Sequence, residues 1–311
     1  MLLLIGGTGF LGDVVVENIM SEGKPLRLLT RGSGDWKHSN LSQYRKRGIE
    51  VVVGSLEDDA TIERALEDVD CVINLSGSFR LSSDGSRASS YEYMNVVLVD
   101  KLLHYAKELG IQRFVQVSCL GARLESQSQF LSTKQEGDDL VMASDLYWTI
   151  LRPSFLFGKI FPLAQLVKPL LKFKPFLPVI GSGLNQIEPV LVDDVAHAVT
   201  DCIYRKETVH QVYDMTGPES YSMTEIFCAL RQELGLTDNT MTIPSQLSGK
   251  AFEMATKVLP KNTMSLELAQ ILIADSIATE SAKEKVRNTF TLRGDSMDVH
   301  LDEIVESLKA K

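Results

Sequence analysis

The sequence predicts an α/β protein: a doubly wound parallel sheet with a smaller, mostly helical C-terminal region. Three observations carry that expectation. A short unbroken apolar run at residues 2–5 is followed by similar, mostly apolar runs at 26–29, 51–53, 71–75, 114–117 and 148–151, the pattern of strands buried on both faces. Helix-length segments with apolar residues three and four apart lie between them, at 11–20, 59–66, 96–109 and 133–143. The rhythm then breaks after Pro153, where Pro162, Pro169, Pro175 and Pro178 interrupt the chain up to Gly183.

Alternating strand and helix signals imply parallel strands joined by right-handed crossovers, with helices on both faces. Residues 187–192 read as a strand leading into a helix at 193–204, and 212–215 as a last strand of the sheet. From Thr224 onward the pattern is helical, at 224–234, 249–258 and 265–273. The expected organisation is a sheet domain at 1–153, rejoined by 187–216, with 154–186 and 217–311 forming a substrate or lid region. In such folds ligands bind beyond the carboxyl ends of the strands.

Composition narrows the class. The 311 residues carry 32 Lys+Arg against 41 Asp+Glu, a net charge of −9, so no long-range attraction to a phosphate backbone arises and nucleic acid is not an expected partner. With 44% hydrophobic and 23% charged residues, the chain has ordinary globular composition,. Cys71, Cys119, Cys202 and Cys228 stand far apart without a CxxC pair, which argues against a disulfide framework or a metal site and fits a reducing compartment. Cys119 reads as a small buried side chain rather than a redox group. No signal peptide and no apolar run approaching the ~18 residues of a membrane span is expected, so the cytoplasm or an organelle matrix is the expected location.

Directly after the first strand comes Gly6-Gly7-Thr8-Gly9-Phe10-Leu11-Gly12. Gly6 permits a tight turn, Gly9 lets backbone approach a pyrophosphate, and Gly12 lets the helix pack on the strand. The helix that follows offers free N–H groups and the positive end of its dipole to phosphates. This strand–turn–helix context points to a dinucleotide. At the end of the second strand, an acidic residue would accept hydrogen bonds from a ribose 2′-OH, but this chain has Thr30-Arg31. An Arg there pairs with a 2′-phosphate and favours NADP(H) over NAD(H). Asp35 can still reach a ribose, and Lys37 and His38 can add positive charge.

These residues resemble the extended and atypical short-chain dehydrogenase/reductase superfamily, whose members have a Rossmann fold. The resemblance runs to about Gly217. It rests on the glycine turn, Gly54-Ser55-Leu56, Asn74-Leu75-Ser76-Gly77, Asn95, Val117-Ser118 and Leu151-Arg152-Pro153. Phe157-Gly158 and residues 188–196 look most like the atypical branch that holds the dehydrogenase-like accessory subunit of respiratory complex I, itself similar to NmrA-like proteins. The resemblance implies cofactor contacts from Gly6, Thr8, Gly9, Phe10, Leu11, Gly12, Arg31, Gly54, Ser55, Leu56, Leu75, Ser76, Gly77, Asn95, Val117, Ser118, Lys134, Pro153, Ser154 and Phe155. Phe155 and Leu156 resemble the wall beside the nicotinamide carboxamide.

Typical members use a Ser or Thr together with a YxxxK pair, in which one helical turn sets a Lys ammonium beside the Tyr and lowers the phenol's pKa. Ser118 and Lys134 match the Ser and the Lys. Phe130 stands where the Tyr should be, and none of the eight tyrosines has a Lys four residues on. A phenyl ring has no exchangeable proton, so nucleotide-sugar epimerase and dehydratase chemistry is set aside. Lys134 is expected to hydrogen-bond the nicotinamide ribose, and Ser118 either to orient the nicotinamide or a substrate carbonyl or to serve only as a cap.

Two functions fit. One is an NADPH-dependent reductase whose small-molecule acceptor, a quinone or another conjugated group, needs no Tyr. The other is a non-catalytic nucleotide-binding protein with a structural, assembly or redox-sensing role. Residues 159–176 mix Phe161, Leu163, Leu166, Val167, Leu170, Leu171, Phe173 and Phe176 with Lys159, Lys168, Lys172 and Lys174. This basic amphipathic segment suits either a lid or contact with a protein partner or membrane surface.

Overall fold

A computed structural model describes residues 1–31, 41–77, 90–244 and 266–310. Asp35, Lys37, His38, the expected helix at 249–258 and residue 265 lie outside them. The chain forms two units, one of Met1–Pro153, Val192–Met215 and Glu280–Leu292, the other of Ser154–Leu191, Thr216–Thr279 and Arg293–Lys311.

In the first unit, β1 (Leu2–Ile5), β2 (Leu26–Thr30), β3 (Glu50–Val53), β4 (Cys71–Asn74), β5 (Arg113–Val117), β6 (Tyr147–Pro153) and β7 (Gln211–Met215) form one parallel sheet in the order β7-β6-β5-β4-β1-β2-β3. Connections run outward in opposite directions from β1 and β4, which are neighbours with Ile5 opposite Asn74. A crevice therefore opens at their carboxyl ends. Helices α1 (Phe10–Ser21), α2 (Leu41–Lys46), α3 (Asp59–Leu66), α4 (Leu98–Glu108), α5 (Gln129–Ala143), α6 (Val192–Tyr204) and α7 (Glu280–Thr289) surround it.

Leu3, Leu4, Val72, Ile73, Phe114 and Val115 are fully buried because both faces of the sheet are covered; each such side chain contributes about 1.5–3 kcal/mol. The Asp58 carboxylate caps α3 by accepting from Thr61 N, and the Ser128 hydroxyl caps α5 by accepting from Leu131 N,. Arg27 and Arg113 stand inside strands because each serves a helix end. Arg27 of β2 donates to the Ala65 and Glu67 carbonyls at the end of α3 and pairs with Glu50. Arg113 of β5 donates to the Cys202 carbonyl in the last turns of α6 and to Thr149 and Thr208. Both satisfy carbonyls that a helix end leaves without intrahelical partners.

Among the described residues of the second unit, three pairs of short strands join five helices. Leu156–Phe157 pairs with Val190–Leu191, Gln186–Ile187 with Tyr221–Ser222, and Leu177–Ile180 with Thr240–Ile243. The helices are Pro162–Leu166, Lys168–Leu171, Met223–Glu233, Leu266–Leu272 and Leu301–Lys309. Ser222 and Glu225 form a reciprocal capping box at the start of Met223–Glu233,.

The structure corrects three expectations. The chain re-enters the first unit at Val192 rather than at 187, because both short strands in that stretch pair within the second unit. Within 217–311, α7 belongs to the first unit: Lys285 lies 4.8 Å from the Tyr213 ring centroid and donates to the Val212 carbonyl, and Phe290 meets Tyr213 edge-on. In 159–176, Phe161, Leu163, Val167, Leu170 and Leu171 are buried in the second unit's core. Lys168 and Lys172 donate to the Ala310 and Leu308 carbonyls. A membrane-surface contact there has lost the apolar face it requires. Among the described residues no helix is long and apolar enough to cross a membrane.

One packing constraint bears on the crevice. A Cβ on Gly137 of α5 would lie 2.1 Å from the Asn95 carbonyl oxygen. Gly137→Ala is expected to destabilise the protein by about 1–3 kcal/mol through overpacking. The exposed Asp139→Ala on the same helix should stay within about 0.5 kcal/mol. Urea denaturation with both variants reads the difference, and equal losses would contradict the account.

Candidate functional site

The glycine turn sits at the crevice because no other residue fits it. Gly6 has φ +82°, and a Cβ there would be 2.9 Å from the Leu75 carbonyl group. A Cβ on Gly12 would fall 2.3 Å from the Gly6 oxygen and 2.6 Å from the Gly7 carbonyl carbon, so α1 rests directly on the turn. Gly9 is the N-cap of α1, donates to the Gly6 carbonyl at 3.1 Å and supplies no side-chain cap to the N–H groups of the first turn. Thr8 and Phe10 are half-buried beside it and Leu11 is buried. Backbone N–H groups and the helix dipole therefore converge where an anion is stabilised.

The adjoining strand ends extend the site. Arg31 is exposed immediately after β2, while the Thr30 carbonyl accepts from Gly54 N at 3.0 Å and ties the ends of β2 and β3 together. The Ser55 hydroxyl accepts from Glu57 N within its own turn. Leu56 is buried, and its carbonyl accepts from the Tyr93 hydroxyl at 3.0 Å.

At the ends of β4 and β5 lies a buried polar cluster. Asn74 Nδ2 donates to Gln116 Oε1 at 2.9 Å and Asn74 Oδ1 accepts from Ser76 N at 3.1 Å, which fixes the course of Leu75-Ser76-Gly77. The Lys134 ammonium, 3% exposed, donates to the carbonyls of Ser76 at 2.9 Å and Val117 at 3.3 Å. A Cβ on Gly77 would meet Lys134 Nζ at 2.5 Å and Asn95 Oδ1 at 2.7 Å. Asn95 lies in a π-helical turn, Tyr93–Val97, and its Nδ2 donates to Thr133 Oγ1 at 2.9 Å. Single π turns of this kind often mark functional sites. Burial pulls the Lys134 ammonium below the ordinary lysine range,.

One helical turn beyond Lys134, the fully buried Asp138 accepts from Arg152 Nε at 2.8 Å, and Arg152 also donates to Gln135 Oε1. Desolvation raises the Asp138 carboxyl, with Arg152 and the Ser118 hydroxyl pulling it back. Burial pushes the Cys119 thiol up to about 12, so it stays protonated and poorly nucleophilic,. Phe130 is buried against Tyr91, ring centroids 5.7 Å apart and nearly edge-on. Among the described residues no cluster of three or more potential metal ligands occurs.

Thus Gly6 through Gly12, Arg31, Gly54 through Leu56, Leu75 through Gly77, Val117, Ser118 and Pro153 all lie at carboxyl ends of the strands of one sheet, with Asn95 and Lys134 on the helices beside them. Ser154 and Phe155 belong to the second unit: the Ser154 hydroxyl is engaged by Ser276 at 3.0 Å, and Phe155 packs on that unit's apolar core. Sequence reasoning gave no role to Gln116, Thr133, Asp138 or Arg152. The signals were a Gln inside an apolar strand and an acid four residues after Lys134.

The cluster suits a nucleotide's polar end. Ser76 Oγ and Asn95 Oδ1 are buried without a hydrogen-bond partner among the described residues, and Ser118 Oγ, although near enough to the Asp138 carboxyl to lower it, makes no hydrogen bond of normal geometry. Buried polar atoms of this kind call for a partner, and the uncapped start of α1 suits a pyrophosphate.

Comparisons with known proteins agree. Over 226 residues the chain is 30% identical to NADH dehydrogenase (ubiquinone) 1 alpha subcomplex subunit 9, mitochondrial, of Arabidopsis thaliana, covering 72% of this chain and 55% of that protein. Thus the match spans about half the length of that relative. An NAD(P)H azoreductase of Xenophilus azovorans is 26% identical over 235 residues, 76% of this chain and 74% of the other. Among solved structures, a dTDP-glucose 4,6-dehydratase of Streptomyces venezuelae with NAD bound shares the fold at a TM-score of 0.73 and 18% identity, covering 100% of this chain and 97% of the other. Residues 6–166, just over half of the chain, match the NAD(P)H-binding family. With that match carried by the glycine turn and the strand ends around it, the chain belongs to the NAD(P)H-binding family of Rossmann-fold proteins.

Proposed function

We propose that this protein binds NADP(H) and reduces a quinone-like or other conjugated acceptor without a tyrosine acid. The observation that carries the reading is the buried Lys134 cluster: among the described residues Ser76 Oγ, Asn95 Oδ1 and Ser118 Oγ make no hydrogen bond around a buried ammonium, while position 130 holds no exchangeable proton. When bound, the reduced nicotinamide supplies a hydride. The protein's part is to hold and orient. Gly6 through Gly12 and the first turn of α1 take the pyrophosphate, and Arg31 takes a 2′-phosphate by charge-assisted hydrogen bonds. Two of the three Lys134 donors hold the Ser76 and Val117 carbonyls; the third serves the nicotinamide ribose. Ser118 orients the nicotinamide or the acceptor, and Phe130 against Tyr91 gives an apolar wall that excludes water. The name of the azoreductase relative supports an acceptor with a π-bond. The proposed location is the cytoplasm or an organelle matrix.

A second reading has its own observation. Phe130 together with similarity to a complex I subunit favours a non-catalytic, nucleotide-stabilised component of an assembly or a redox sensor,.

Two experiments test these readings. Acceptor-dependent NADPH oxidation should fall about tenfold or more in Lys134→Met while NADPH still binds, a loss of about 1.4 kcal/mol in transition-state stabilisation. No oxidation by the wild-type protein across quinones and azo compounds would favour the second reading. Arg31→Asp should weaken NADPH at least about tenfold more than NADH, as loss of charge-assisted hydrogen bonds dictates; equal weakening of both would overturn the NADP(H) assignment.

A further inference from the structure

The reductase reading needs a proton as well as a hydride, and Phe130 cannot give one. Close to Lys134 stands an acid that no role so far has used. Asp138 is fully buried on α5, its Oδ2 held by Arg152 Nε at 2.8 Å. Its Oδ1 has no hydrogen-bond partner among the described residues, and neither has Ser118 Oγ, which is near enough to influence the carboxyl. Leaving both oxygens unsatisfied in a dry interior is costly. One hydrogen bond between them satisfies both, with the proton on either side. That interchangeability is what a relay requires. Ser118 directly follows Val117, whose carbonyl is bound to Lys134, so its hydroxyl stands at the strand end where the proposed nicotinamide contacts gather.

We propose that Asp138 feeds the proton of the reduction through the Ser118 hydroxyl, in the role that a phenol at position 130 would otherwise take. The proposal rests on the reductase reading. The acceptor gains a hydride with its electron pair from the reduced nicotinamide and a proton from Ser118 Oγ. The Asp138 O–H bond breaks as its proton passes to Ser118, its electron pair staying on the carboxylate beside Arg152, and water restores the proton between turnovers. The charged and titratable groups around Asp138 are Lys134 on its own helix, Cys119 after β5 and Arg152 on β6, with Asp214 of β7 also acting on Arg152. Desolvation outweighs the two cations and keeps the acid form accessible,. Asp138 acts through Ser118 and is a positioning residue in that sense.

The test combines infrared spectroscopy with pH–rate profiles of the whole 311-residue chain. Infrared difference spectra of the wild-type protein should show a protonated-carboxyl C=O band that disappears in Asp138→Asn and shifts in Ser118→Ala. With quinone as acceptor, wild-type kcat/KM should fall as pH rises through the Asp138 pKa, because the acid form donates. Asp138→Asn should be about tenfold or more slower and lose that limb, with the KM for quinone little changed. A purely structural Asp138–Arg152 pair would lower the Tm of Asp138→Asn and leave the limb in place, which overturns the proposal. So does the absence of a Ser118-sensitive carboxyl band in the wild-type protein, a result that holds even where Asp138→Asn fails to fold. A Ser118-sensitive band in a protein that reduces no acceptor overturns the reductase reading, and the relay with it, while the band itself shows that the acid–hydroxyl pair exists.

Discussion

A buried ammonium bound to two backbone carbonyls sets the geometry of the crevice. Lys134 joins the carboxyl ends of β4 and β5 by donating to Ser76 and Val117, and an unpaired cation in that place would be costly. Several neighbouring features follow from it. Position 77 must be glycine because a side chain would strike the ammonium, and position 137 must be glycine so that α5 can approach the π turn that carries Asn95. Asp138, one turn further along α5, returns negative charge to the same dry region and brings Arg152 of β6 with it. The ends of β4 and β5 are thus held by one nitrogen, and the end of β6 by the carboxylate one turn further along the same helix.

The periphery obeys a related rule. Carbonyls at helix ends are met by cations reaching from elsewhere in the same unit: Arg27 serves α3, Arg113 serves α6, and Arg205 serves the last residue of α7. In the second unit, the fully buried Arg231 donates to the Leu171 and Phe173 carbonyls at 2.8 Å, and Lys172 to that of Leu308. These contacts explain charged residues inside otherwise apolar stretches. They also account for part of the basic character of 159–176, where Lys168 and Lys172 hold the end of Leu301–Lys309.

The sheet was legible because its signals are local. Runs such as Leu2–Ile5 and Cys71–Ile73 are apolar throughout, and Gly6, Gly9 and Gly12 fall where a strand turns into a helix. Lys134 and Ser118 were singled out by resemblance to a family pattern, and Phe130 by its departure from that pattern. What stayed hidden depends on contacts distant in sequence. Asp138 looks like any helical acid until Arg152 is folded beside it, and Thr133 and Gln116 acquire roles only from Asn95 and Asn74. The strand Thr240–Ile243 needed Leu177–Ile180 as a partner, and α7 joined the sheet domain because Lys285 and Phe290 find Tyr213. The amphipathic reading of 159–176 saw the pattern correctly, and the apolar side of the segment turns into the unit's own core.

The central claim is that this site exchanges its nucleotide because it serves turnover, whereas a nucleotide built into the fold has no need to leave. Dissociation rates of NADPH and NADP⁺ from the purified protein test it most directly and require no knowledge of the acceptor. The account predicts that both forms leave within about seconds, as typical turnover rates demand. Retention of both forms for hours would contradict it and would make the nucleotide a structural part of the protein.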